Sequence, residues 1–96
     1  MKLLAIVDLA EGAPLERVRA ELASELKASW ALFAADVLRE AYATAPPTRV
    51  VFVLEARDAA AAEGSLRTLP LIAAGLFRVE LIELRPFVNW SMLFGH

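Results

Sequence analysis

Residues 3–7 read Leu-Leu-Ala-Ile-Val, so a strand built there is apolar on both of its alternating faces. Such a strand needs cover above and below. The run Val50-Val-Phe-Val-Leu54 makes the same demand. Yet 96 residues form one domain, and a domain of that size buries only roughly two-thirds of the surface of its unfolded chain. Apolar residues make up 58% of the chain and mean hydropathy is +0.51, against about 45–50% apolar in an ordinary soluble domain. A single copy therefore leaves apolar surface in water, and large patches of that kind mark contact sites. The sequence predicts self-association.

The spacing of apolar residues sets the order of elements. Residues 2–8 form a first strand. Pro14 suits the first position of a helix, where its missing N–H costs nothing, and Glu16 follows in the first turn, where negative charge meets the helix dipole. Leu15, Val18, Leu22, Leu26, Trp30 and Phe33 then recur every three or four residues, an amphipathic stripe over about residues 14–34. Arg17, Arg19, Glu21, Ser24, Glu25 and Lys27 fall on the other side. A second strand over 37–43 pairs back onto a third over 49–56 through Thr44-Ala-Pro-Pro-Thr48, where two prolines suit a hairpin loop. Asp58 caps a second helix that runs to about Thr68. Gly64 inside it costs about 1 kcal/mol against alanine, which predicts a close backbone approach. Pro70 breaks that helix, Leu71–Gly75 is a single turn closed by glycine, and Phe77–Leu84 is the fourth strand. The order β-α-β-β-α-β is the ferredoxin-like α+β arrangement, an antiparallel sheet with helices on one face. Residues 1–86 make the domain. Residues 87–96 are an arm whose Phe87, Trp90, Leu93 and Phe94 are expected to pack on a partner subunit, since undocked termini are normally polar.

Charge and composition narrow the function classes. Net charge is −2 with acids and bases interspersed, so no nucleic-acid partner is expected. The chain has no cysteine, and one histidine, His96, builds neither a metal site nor a triad, so no metal is expected. No run approaches the roughly 20 apolar residues of a membrane span, and the first apolar run stops at Asp8, too soon for a signal peptide. No membrane partner and a cytoplasmic location are the expectation.

Leu69-Pro-Leu71 followed by Val79-Glu-Leu-Ile-Glu-Leu-Arg-Pro86 resembles the C-terminal third of muconolactone isomerases, and Leu38-Arg39 with Tyr42-Ala43 is similar to that family's second strand. Where the family carries a His-Pro-Ser segment, this chain has Arg85-Pro86-Phe87. The resemblance implies a dimeric α/β barrel, two sheets stacked face to face, as a dimer or ring of dimers. It implies cofactor-free chemistry on a small lactone or carbonyl compound, and a cavity between helices and sheet.

Candidate site residues come from the polar second strand. Glu40 and Tyr42 lie two apart and share a face; a carboxylate beside a phenol can move a proton next to a carbonyl, and enclosure in the family's cavity would raise the Glu40 pKa. Otherwise Glu40 pairs with a basic residue at an interface. Arg39 points to the opposite face with Val37, Ala41 and Ala43, where it can hold a substrate carboxylate or form an ion pair at a subunit contact, for instance with Glu55 or Glu80. Trp30 and Phe33 are core or cavity wall. The expected partner is a small apolar or acidic metabolite. Three readings follow: a muconolactone isomerase-like enzyme with Glu40 and Tyr42 catalytic, a non-catalytic oligomeric binding module, or a cofactor-free small monooxygenase.

Overall fold

The computed structural model describes residues 1–95, so His96 lies outside the described residues. The elements are β1 (Lys2–Leu9), α1 (Leu15–Ala34), β2 (Leu38–Ala43), β3 (Val50–Glu55), α2 (Ala59–Leu66), α3 (Pro70–Ala73) and β4 (Phe77–Leu84), followed by a 3₁₀ helix over Val88–Phe94. The strands form one antiparallel sheet in the order β2-β3-β1-β4. The apolar first strand is thus central, as its two-faced pattern requires.

Register sorts the side chains. Leu3, Ala5 and Val7 stand opposite Leu54, Phe52 and Val50 on one side, and opposite Glu83, Leu81 and Val79 on the other. This is the face the helices cover, and Leu3, Ala5 and Leu54 are fully buried there with Ala62, Leu66 and Leu69. Each buried leucine contributes about 1.5–3 kcal/mol. The opposite face presents Leu4, Ile6, Val51, Val53 and Ile82, all half-buried, with Asp8 and Arg78 paired at its margin at 3.5 Å. Among the described residues no element covers it.

Pro14 sits one residue before its expected place, as the extended N-cap of α1. At the other end Val37 N–H reaches the Leu32 carbonyl and Asp36 N–H that of Phe33, a Schellman closure with Asp36 in the left-handed region at φ 63°. The same device, with Gly75 at φ 73°, ends α3. Asp58 Oδ1 accepts from Ala61 N–H at 2.8 Å, the expected cap of α2. That helix ends at Leu66 rather than Thr68, because Thr68 and Leu69 bond to carbonyls three residues back and tighten the chain. Pro70 then opens α3 at its first turn, where a missing N–H is free. A β-carbon at Gly64 would meet no atom within 4 Å, so no close approach explains that glycine. In the hairpin, which holds a cis Pro46–Pro47 bond, Thr44 Oγ1 accepts from Arg49 N–H at 2.9 Å.

Candidate functional site

The apolar stripe of α1 does not face the sheet. Leu15, Leu22, Leu26, Trp30 and Phe33 are all exposed, and the helix rests on Val18, Glu25, Ala28, Ser29 and Leu32. At 100° per residue the seam lies roughly 80° from the stripe. The stripe therefore overhangs the edge of the sheet and walls a groove between α1 and β2. Its deeper part, ≈ 320 Å³, is lined by Leu22, Glu25, Ser29, Phe52 and Phe77 among others, with Tyr42 at its rim. It continues into a more open recess of ≈ 390 Å³ under Trp30, Phe33 and Leu38.

Glu25 is the only buried charged side chain among the described residues, at 7% exposure. Its Oε1 accepts from Leu71 N–H at 2.8 Å, at the start of α3. Burial pushes its pKa above the ordinary carboxylate value, and the Leu71 hydrogen bond offsets only part of that rise. A carboxyl on an apolar wall that keeps its proton above the ordinary carboxylate range can pass that proton to a bound molecule. Reading α1 as a stripe with a polar back hides this residue among Glu21, Ser24 and Lys27. The signal that finds it is the seven-residue spacing of Val18, Glu25 and Leu32, which marks a second seam with small Ala28 and Ser29 between.

The anticipated pair lies elsewhere. Glu40 and Tyr42 stand opposite Val53 and Val51, on the face that the helices leave open. Tyr42 O–H donates to Glu40 Oε1 at 2.5 Å, and that bond, with the carboxylate's charge, raises the phenol pKa. Both are exposed, Tyr42 by 57%, so neither is enclosed between helices and sheet. Strict alternation would put Arg39 with Ala41 on the helix side, but β2 has an irregularity between Leu38 and Glu40. Leu38 stands opposite Leu54 and Glu40 opposite Val53, which leaves Arg39 as an extra residue, a β-bulge. Leu38 is buried and Arg39 is exposed, its Nε donating to the Asp36 carbonyl at 2.7 Å. Arg39 also lies near enough to Glu55 to help lower that carboxyl's pKa, chiefly set by a 2.7 Å contact with the Met1 ammonium. Trp30 and Phe33 stack with centroids 5.2 Å apart on the groove wall. Phe87, Trp90, Leu93 and Phe94 are 61–77% exposed on the arm.

A larger recess of ≈ 690 Å³ lies between α2, α3 and β4, but its charged groups are the exposed, mutually paired Glu63 and Arg67, at 2.7 Å. Among the described residues no three of His, Cys, Asp or Glu gather around a point where a metal would sit, and no helix is long and apolar enough to cross a membrane. No family model and no curated protein matches the chain. Among solved structures the chain is similar to 5-chloro-2-hydroxyhydroquinone dehydrochlorinase (TftG) of Burkholderia phenoliruptrix AC1100, in complex with 2,5-dihydroxybenzoquinone, at a TM-score of 0.71 and 17% identity over 93% of this chain and 98% of that one. Strand order, helix placement and this likeness together establish a ferredoxin-like α+β fold.

Proposed function

We propose that the groove between α1 and β2 binds a small, mostly apolar carbonyl compound and that Glu25 moves one proton on it, the cofactor-free chemistry of a lactone isomerase. The observation that carries this reading is the burial of Glu25 on the wall of an otherwise apolar groove. A carboxylate with a raised pKa is a stronger base than a solvated one. It takes a proton from the carbon beside the carbonyl, the electron pair moves to the carbonyl oxygen, and the same carboxyl returns the proton at another carbon. No electrons are gained or lost. Support comes from the structural neighbour, whose name describes loss of hydrogen chloride from a hydroxylated ring, a reaction on a small oxygenated compound. The muconolactone isomerase resemblance points to the same reaction class.

The test is turnover of a panel of lactones and enolisable carbonyl compounds by the protein and by Glu25→Gln. The amide keeps an acceptor for Leu71 N–H but has no titratable proton to give or take. Turnover should fall by about 10²–10⁴-fold with binding retained. Equal turnover by both proteins sinks the assignment, and binding without turnover by either leaves a non-catalytic binding module.

A second reading has its own observation, the Tyr42–Glu40 hydrogen bond beside the uncovered apolar face of the sheet. Stacking of that face on a second copy would enclose the pair and supply the cover that Leu4, Ile6 and Val53 lack. On this reading Glu40→Gln, and not Glu25→Gln, removes turnover.

A further inference from the structure

We propose that β4 of a second copy of this chain pairs antiparallel with β4 about a two-fold axis at Val79, and that the recess between α2, α3 and β4 is closed by its counterpart in that copy. Within one chain β4 is paired on one side alone, with β1. The Leu76 carbonyl accepts from Ala10 N–H at 2.9 Å, and these two residues stand opposite each other when the β1–β4 register is continued past Leu9 and Phe77. Backbone groups alternate in direction along an antiparallel strand. Arg78, Glu80 and Ile82 therefore turn theirs to β1. Phe77, Val79, Leu81 and Glu83 turn theirs outward, where none meets a backbone partner among the described residues. A border strand with its outward groups free is disposed to take up an added strand.

The side chains select both the partner and the register. A two-fold axis normal to the sheet keeps the helices of both copies on one side, so residues of the same face stand opposite each other. With the axis at Val79, Arg78 of each copy faces Glu80 of the other, and Phe77 faces Leu81. Glu80 makes no ion pair among the described residues, and Arg78 makes only the 3.5 Å contact with Asp8, so both gain a partner of opposite charge. An axis at Glu80 sets that carboxylate against itself, and an axis at Arg78 sets guanidinium against guanidinium. An axis at Leu81 puts Glu83 against Val79 and Glu80 against Ile82. Opposite charges directly across a pair stabilise it and like charges oppose it, so β4 complements itself at Val79. Val79 and Leu81 also line the ≈ 690 Å³ recess with Leu66 and Ile72. β4 is the last strand on that side, so the recess opens outward over the border. The second copy's α2 and α3 supply the missing wall.

Amide hydrogen exchange of the full-length protein, followed by NMR, reads the pairing residue by residue. Val79 and Leu81 N–H should exchange slowly. Glu83 N–H, which falls opposite Gly75 and so beyond the other copy's strand, should exchange fast. Ile82 N–H, directed to β1, should stay slow in every variant and reports that the sheet is intact. Glu80→Arg sets like charges opposite each other at two places and should cut the protection of Val79 and Leu81 about tenfold or more; Arg78→Glu should do the same. An equal mixture of the two variants sets two arginines on one strand against two glutamates on the other, and slow exchange should return. Arg78→Glu also meets Asp8 within its own chain, so the double exchange of Arg78→Glu with Glu80→Arg in one chain serves as a second rescue. Fast exchange of Val79 and Leu81 in the parent protein overturns the pairing, and Glu83 as slow as Leu81 overturns the register. Protection that survives Glu80→Arg shows that something other than a second β4 lies along the border. Failure of both rescues with Ile82 still slow removes the charge match on which the choice of partner rests.

Discussion

Glu25 stands on a helix whose neighbouring charges all face solvent, and its different environment makes it measurable. Between the ordinary carboxylate value and its raised value in the fold, the folded chain holds a proton that the unfolded chain has released. Stability therefore falls as pH rises through that window and levels off above it. Asp58 and Glu55 have lowered values and act in the opposite direction, losing stability as pH falls. The difference between the protein and Glu25→Gln isolates the one group. Denaturant midpoints from about pH 4 to about pH 8 should show the variant gaining on the parent as pH rises through the window just above the ordinary carboxylate range; parallel curves would mean that Glu25 is not held proton-rich. Gly64 gives a simpler case. It lies inside α2 with open space where a β-carbon would stand. Gly64→Ala should raise unfolding free energy by about 1 kcal/mol in a urea titration, and a loss would show that the space is taken by something outside this chain. The glycine was legible as a cost; its surroundings were not, because no local pattern reports what packs across a helix.

Among the elements, β1, β3, β4 and the proline hairpin were legible because alternation and Pro-Pro are local signals. The facing of α1 was not. Its largest apolar residues form one stripe, and moment-like reasoning sends the largest residues inward. The seam instead mixes Val18, Glu25 and Leu32 with small Ala28 and Ser29, and the two aromatics stay outside it. The irregularity in β2 was illegible for a related reason, since a bulge breaks the alternation from which side-chain facing is read. It also makes a prediction. Removing Arg39 would leave Leu38 opposite Leu54 and Glu40 opposite Val53 in unbroken sequence. Deletion of Arg39 should give a cooperatively folding protein with β2 amides still protected from exchange. Deletion of Ala41 shifts one side of the strand by a residue and turns its pattern over, so that protection should be lost. Similar protection in both deletions would show that register is not set where the bulge places it.

For the molecule as a whole, the excess of apolar residues correctly pointed to surface that one chain does not hide. The structure locates it in three places: the open sheet face around Leu4, Ile6 and Val53, the overhanging stripe of α1, and the arm. Composition registers such a surplus without an address, because it sums over faces that only register and helix rotation separate. The candidate site was legible in part. Trp30 and Phe33 stand on the wall of the groove and Tyr42 at its rim, while Glu40 lies on the open face of the sheet and Arg39 at its bulged edge.

The bulge at Arg39 also affects what the sheet can join. An incoming strand needs an unbroken row of donors and acceptors, and a border with an extra residue twists away from it. The β2 border is thereby blunted as a template for fibrillar growth. The β4 border, regular against β1 from Lys2–Leu84 to Leu9–Phe77, keeps its full row until Pro86 ends it.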